Sequence, residues 1–292
     1  MNYPKISIVT PSYNQAQYLD QTIRSVLDQG YPNLEYVIVD GGSTDDSANV
    51  IRKYEKHLKY WVSEKDKGQT DAINKGIKHC TGDVFGYLNS DDLLYPKSLE
   101  RVATTWNAGE RWMVGWCVYL ELGGTDWPYM MRAHHTKVDW FLDNPIPQQS
   151  TFFDRKFLDQ VGVFREDLHY CFDYEYWMRL RFVANARPFS IRQCMSAFRI
   201  HEASKTNSVW PKFEEEFTTI RAEYQKYLSP RERLRWKAGQ RRIHAAAAED
   251  RAWRAIKARD PAAARKEAMA VAGWQPLKAQ SWKLLYHALR AR

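Results

Sequence analysis

The chain has 292 residues and is 44% hydrophobic and 27% charged, the balance of a globular protein with a sizeable core rather than of a disordered or fibrous chain. Its net charge of +8 is unevenly placed, because residues 221–292 carry 18 Lys+Arg against 6 Asp+Glu whereas residues 1–220 carry 25 against 29. No apolar run is long enough to span a bilayer, Met1–Lys5 leaves no room for a signal peptide before the first strand, and the four cysteines form no C-x-x-C pair, which argues against structural zinc and for reduced, buried thiols in a cytosol.

Strand and helix signals alternate over residues 1–110. Ile6–Thr10 reads as a strand, Gln15–Gln29 as a helix through Leu19, Ile23, Val26 and Leu27, and Leu34–Val39 as a second strand. Ser43 or Thr44 then reads as the N-cap of a helix over Asp46–His57. Tyr60–Ser63 is a short third strand, Gln69–Cys80 a third helix and Val84–Leu88 a fourth strand. This rhythm predicts an α/β fold with a mostly parallel, Rossmann-like central sheet flanked by helices. It also puts the loops after Thr10, Val39, Ser63 and Leu88 on one edge, where open α/β sheets bind ligands.

Residues 111–209 are mixed. Trp112–Leu122 reads as an extended pair or hairpin turning at Gly123-Gly124, Ser150–Phe153 as a strand, Arg155–Val161 and Asp173–Val183 as helices, and Phe189–Ile200 as extended. From Trp210 the pattern is helical and basic, with breaks at Pro230, Pro261 and Pro276. The expected organisation is a first half over 1–110, a second half of the same domain over 111–209, and a basic helical appendage over 210–292. A basic tail suits an anionic membrane surface or another polyanion, and equally the solvated face of a helical appendage. It holds no nucleic-acid motif, so no nucleic-acid partner is expected.

Each strand-end loop has a chemical and a bland reading. Pro11, Tyr13 and Asn14 offer a rigid turn and an aromatic face for a nucleobase, or simply a turn with a half-buried tyrosine. Asp40 can accept a base imide N–H while Gly42 admits close backbone approach, or the segment is a turn and cap. Lys67 and Gly68 directly precede a helix, whose N-terminus favours anions, with Asp71 in its first turn. Asn89-Ser90-Asp91-Asp92 ends an apolar strand in two carboxylates, hard ligands that suit Mg²⁺ or Mn²⁺ beside a phosphate, or an acidic turn capping the helix near Pro96. Four such loops on one edge argue together for a site.

The ordered strings V-T-P-S-Y-N-Q, V-I-V-D-G-G-S-T-D-D-S, E-K-D-K-G-Q-T-D-A-I-N-K-G and Y-L-N-S-D-D resemble the family 2 glycosyltransferases over about 200 residues. That resemblance implies an A-type glycosyltransferase fold and an inverting, metal-dependent transfer from a nucleotide-diphosphate sugar, with UDP favoured. Polysaccharide or cell-surface glycan synthesis, with a glycan or lipid-linked acceptor, follows from it. It places Pro11, Tyr13 and Asp40 along the nucleoside and Asn89-Ser90-Asp91 at the family's D-x-D position, where Asn89 replaces the first aspartate. Asp91, with Asp92 and His201, would hold the metal. Asp173 matches the catalytic base before the segment Trp177-Met178-Arg179-Leu180, with Glu175 as the alternative. Gln149 belongs to a segment lining the sugar, and Lys205 to a closing H-x-x-S-K-T-like run that pairs with phosphate. A nucleotidyltransferase is the enzymatic alternative, and a non-catalytic membrane- or polyanion-binding module is the alternative of another class. By family analogy and charge the expected location is cytoplasmic, peripheral on the inner face of a membrane.

Overall fold

The computed structural model describes residues 2–121, 127–129, 136–201 and 210–290. Strands β1 (Ile6–Ser12), β2 (Leu34–Asp40), β3 (Tyr60–Ser63) and β4 (Val84–Tyr87) run parallel in the order β3-β2-β1-β4. Every residue of β1 is buried, which fits a strand covered on both faces. Ile6 and Ile8 enter one core with Leu19, Ile23 and Val26 of helix α1 (Ala16–Leu27). On the other face Val9 meets Gly76 of helix α3 (Gln69–Ile77), where an added Cβ would lie 2.5 Å from the valine side chain. The register aligns Ser12, Asp40 and Ser63 in one row, so the following loops leave from a common edge.

Helix α2 is only Ser47–Arg52, followed by a 3-10 turn over Glu55–His57, and no side chain caps its start at Asp46. Ser43, one of the two residues the sequence assigns to that cap, instead donates its hydroxyl to Asp40. Its hydroxyl also accepts the Asn14 N–H, so the loop takes up the oxygen that would otherwise accept from a helix N–H.

The second half continues the sheet through β5 (Leu93–Leu94), β6 (Trp112–Glu121), β7 (Trp127–Tyr129), β8 (Thr151–Asp154) and β9 (Phe189–Ile200), with helices α4 (Ser98–Asn107), α5 (Lys156–Val161) and α6 (Phe172–Phe182). Strand order runs β4-β8-β6-β9-β5, with β7 beside β6. Here the sheet is mixed: β8 is antiparallel to both β4 and β6, whereas β6 and β9 are parallel. The expected hairpin is β6 with β7, and its Gly123-Gly124 turn lies outside the described residues. All four cysteines are free, with Cys80, Cys117 and Cys171 buried and Cys194 half-buried.

The chain divides into two compact units, Met1–His134 with Asn144–Tyr224, and His135–Asp143 with Gln225–Arg292. Helix α7 (Trp210–Tyr224) therefore belongs with the sheet-bearing unit, although its sequence reads as the start of the appendage. The reason is chemical: Phe217 packs edge-on against Tyr174 and the Tyr224 hydroxyl donates to Glu175, both on α6. The second unit holds α8 (Pro230–Lys257), α9 (Pro261–Trp274) and α10 (Ala279–Arg290). Pro230 and Pro261 start helices rather than only ending them, behind Ser229 in a capping box with Glu232 and behind Asp260. Trp236 donates its indole N–H to the Phe141 carbonyl at 3.0 Å, which ties α8 to the 136–143 segment of the same unit. Among the described residues no helix is long and apolar enough to cross a membrane.

Candidate active site

The site is built on the carboxyl edge of β1 to β4. The first two loops are stitched together: the Asn14 N–H donates to the Ser43 hydroxyl at 2.8 Å, and the Asn14 carboxamide oxygen accepts from the Thr44 N–H at 2.8 Å. Asn14 takes a positive φ of 52° to do so, a conformation asparagine tolerates better than most residues. Pro11 is buried at the end of β1, and the Tyr13 ring is 59% exposed beyond it. Asp40 is fully buried, and its carboxylate accepts the Ser43 N–H and hydroxyl and the Ser63 hydroxyl. These three bonds fix the orientation of the carboxylate at the strand edge.

Asp66 completes this corner, a residue the sequence reading did not single out. Its carboxyl accepts the Gly68 N–H, and a Cβ on Gly41 would lie 2.5 Å from its oxygen. Burial, together with the charges of Asp71 and Asp40, pushes Asp66 above the usual carboxylate range. Gly42 and Gly68 both adopt positive φ, 79° and 123°. The N-terminus of α3, expected to attract a substrate anion, is filled from within: Lys67 N–H donates to Asp71 and Gly68 N–H to Asp66. A substrate anion there has to displace the chain's own carboxylates.

The N-S-D-D turn is a hydrogen-bonded network. Asn89 accepts from Gln69 at 2.7 Å through its oxygen and donates through its nitrogen to Asp92 and Gln148. Gln148 in turn donates to the Tyr87 carbonyl at 2.7 Å. Asp92 is fully buried and also accepts from the Arg199 N–H and from Gln149. Burial and the neighbouring Asp91 charge push the Asp92 carboxyl well above its ordinary range. The amide at position 89 thus has a reason: it accepts at one end and donates at the other, whereas an ionised carboxylate only accepts. Ser90 is buried, and its carbonyl accepts from Thr22.

Asp91 points the other way. Its Oδ2 lies 3.1 Å from Nε2 of His201, the residue that follows β9, and the His201 ring packs on Tyr18. Among the described residues no three His, Cys, Asp or Glu side chains gather around one point. Two donors suffice for a cation that also binds a substrate diphosphate. At 3.1 Å the two side chains are at hydrogen-bond distance from each other, so a divalent cation held by both would take the place of that contact. Lys205 lies outside the described residues.

The other wall carries Asp173 at the start of α6. It is half-buried, with Oδ1 accepting the Tyr174 N–H at 2.7 Å and Oδ2 accepting from Asn144 at 3.4 Å. Burial pushes its carboxyl up to about 6. Glu175, two residues on, is a different kind of group. It is 2% exposed, paired with Arg179 at 2.8 Å and bonded by the Tyr224 hydroxyl at 2.9 Å, so its oxygens are committed to the fold. Glu35 is likewise buried and bonded to Ser7 and Thr81, but it sits at the opposite end of the strands, away from this edge.

Two further residues hold the walls together. Asn74 of α3 bonds the Phe164 backbone in both directions, at 2.8 and 3.1 Å, joining the first half of the domain to the loop before α6. Glu216 of α7 accepts three consecutive backbone N–H groups, those of His169, Tyr170 and Cys171, at 2.8 to 2.9 Å. Since α6 has no side-chain cap of its own, Glu216 replaces it from a distance and fixes the turn that presents Asp173. Neither was legible in the sequence, because a partner 90 residues away for Asn74, or 45 or more for Glu216, leaves no local signal. Glu216→Ala strands those donors at a cost of about 1–3 kcal/mol. We expect a lower melting temperature and at least a tenfold loss of turnover, with Glu216→Gln recovering part of both. A Glu216→Ala protein with unchanged turnover would remove Glu216 from the site.

Residues 7–172, more than half the chain, match the family model described as glycosyl transferase family 2. The chain belongs to glycosyltransferase family 2. An uncharacterised glycosyltransferase of Rickettsia typhi is 28% identical over 222 residues, covering 73% of this chain and 69% of that protein. One from Mycobacterium tuberculosis is 29% identical over 205 residues, covering 67% and 75%. The fold of this family 2 glycosyltransferase is shared with solved A-type enzymes. Staphylococcus aureus TarS in complex with UDP-GlcNAc superposes with a TM-score of 0.60 at 17% identity, covering 98% of this chain and 89% of that one. A Pyrobaculum calidifontis mannosyltransferase in complex with GDP-Man and Mn²⁺ superposes at 0.63 and 16%, covering 98% and 79%. Family membership sets aside the nucleotidyltransferase and the non-catalytic module as readings of the whole chain.

Proposed function

We propose that this glycosyltransferase moves a sugar from a nucleotide-diphosphate donor, with UDP favoured, to a hydroxyl of a glycan or lipid-linked acceptor, inverting the anomeric centre. The observation that carries the reading is Tyr87: Gln148, which accepts from Asn89, donates to the Tyr87 carbonyl at 2.7 Å, and the Tyr87 ring lies 6.3 Å from that of Phe172, the residue before Asp173. The start of α6 and the N-S-D-D turn thus both neighbour one residue, which supports reading them as acceptor and donor walls of one reaction centre.

In this reading the Asp173 carboxylate takes the proton of the acceptor hydroxyl as its oxygen bonds to the anomeric carbon. The bond from that carbon to the diphosphate oxygen breaks, and the nucleoside diphosphate leaves. A single carboxylate acting on one face gives inversion. Asp91 and His201 would hold Mg²⁺ or Mn²⁺, which when bound neutralises charge growing on the diphosphate. Asp92 stands behind them as a buried support through Asn89 and the Arg199 backbone. Tyr13, Asp40 and Asp66 line the nucleoside side, with Asn14, Gly42 and Gly68 shaping its backbone, and Gln149 borders the sugar. Lys67 and Asp71 stand at the rim beside them. Lys205 is proposed for the diphosphate on its sequence resemblance alone.

UDP is favoured because TarS, of the same fold, is seen with UDP-GlcNAc and with UDP, although the mannosyltransferase holds GDP-Man. A thermal-shift panel of UDP, dTDP and GDP decides. With Mn²⁺ present, UDP at about 100 times its Kd adds roughly 2.7 kcal/mol and raises the melting temperature most. EDTA should abolish that shift and the transfer activity together. A larger shift with GDP would overturn the base assignment, and full activity in EDTA would remove the metal from Asp91 and His201.

A further inference from the structure

Trp140, Phe141 and Trp236 are buried in the second unit, but the packed interior among α8, α9 and α10 is built mostly of small side chains while several large ones of α10 face outward. Ala248, Ala252, Ala264, Ala268 and Ala288 form that interior with Val271 and Leu284. Trp282, Tyr286 and Leu289 of α10 are 53%, 53% and 56% exposed, and Leu277 in the preceding turn is fully exposed. Large apolar groups ordinarily go inside, so an outward row of them marks a contact surface.

The row is ordered. Trp282, Tyr286 and Leu289 follow i, i+4, i+7 and share one stripe of the helix, beside the buried stripe of Ser281, Leu284 and Ala288. Lys283 and Arg290 are exposed along its outer flank, and the Arg290 guanidinium lies 4.8 Å from the Tyr286 ring centre. Lys278 lies just before the helix, and from Ala268 to Arg292 the sequence has no Asp or Glu.

We propose that this stripe of α10 docks on an anionic lipid surface. Tryptophan and tyrosine suit the headgroup boundary, where an apolar ring body and a polar edge are both satisfied. Leu289 and Leu277 supply apolar burial, and Lys278, Lys283 and Arg290 meet anionic headgroups. Charge favours this occupant over a second copy of the chain. A two-fold contact through the stripe would bring Lys283 and Arg290 against their own equivalents with no acid between them.

The test is sedimentation of the full chain with vesicles of phosphatidylcholine alone or containing phosphatidylglycerol. Binding is expected to the anionic vesicles, weak to the neutral ones, and weakened by salt. The triple variant Trp282→Ser, Tyr286→Ser, Leu289→Ser should bind at least tenfold more weakly, as should Lys283→Glu with Arg290→Glu. Both change exposed side chains, and circular dichroism confirms that the helices remain. Unchanged binding by the triple variant, or equal binding to neutral vesicles, overturns the proposal. So does a chain that ignores vesicles but self-associates through the stripe in ultracentrifugation. Sedimentation needs no donor, metal or turnover, so its failure is distinguishable from failure of the transfer reading.

Discussion

Asp173→Asn lowers turnover by about 10²–10⁴-fold, the span that general-base catalysis contributes, while nucleotide affinity stays within a few-fold of wild type. The asparagine keeps the shape and, through its one oxygen, the hydrogen bond from Tyr174; it gives up the long 3.4 Å bond from Asn144 and cannot take the acceptor proton. Single-turnover assays and calorimetric titration with UDP and Mn²⁺ measure the two quantities. Near-wild-type turnover would sink the assignment. The pH dependence follows with a definite sign. Burial holds the folded Asp173 carboxyl at about 6, above the unfolded range. The base is protonated and inactive below that pH, so kcat/KM rises through about 6 and then levels. Between the unfolded pKa, about 4, and the folded one, the native state binds a proton the unfolded chain has lost. Stability contributed by that proton is present at low pH and lost as pH rises through the folded value. At neutral pH, Asp173→Asn therefore melts no lower than wild type.

Glu175→Ala does the opposite. Removing one partner of a buried ion pair costs about 3–5 kcal/mol, because the other charge stays behind unpaired. Arg179 loses its carboxylate partner while keeping the Val161 carbonyl, and the Tyr224 hydroxyl loses the carboxylate it donates to. We expect a large fall in melting temperature and in the urea midpoint, with the residual activity of the folded fraction little changed. Burial raises the Glu175 carboxyl, and Arg179 and the Tyr224 hydrogen bond oppose that rise, so the group is held by its partners rather than poised for a proton. A Glu175→Ala protein that melts like wild type yet fails to transfer would move the base from Asp173 to Glu175. The two variants together separate a carboxylate kept for chemistry from one kept for the fold.

Much of the edge was legible in the sequence. Continuous apolar runs and helical spacing are local, so β1 to β4 with α1 and α3 stand within a few residues of expectation, and β3 and β9 match at both ends. The motif order also fixed which loops meet: strands of a parallel sheet must send their following loops to one side. Asp91, Asp173 and His201 were named from the family resemblance, and the structure sets Asp91 and His201 at hydrogen-bond distance. Supporting residues were hidden. Asp66, Asn74, Gln69, Gln148 and Glu216 act through partners distant along the chain or through backbone groups that carry no side-chain identity.

The sequence by itself determined the family, the alternating α/β half and the row of strand-end loops, because each depends on neighbours a few residues apart. Tertiary structure decided the rest. It assigned the two carboxylates of α6 different fates, since burial and partners, not spacing, set what a carboxylate can do. It gave Asn89 its place as a donor to buried Asp92. It also kept α7 with the catalytic unit, because its Glu216, Phe217 and Tyr224 satisfy groups on and before α6 that nothing nearer in the chain can reach.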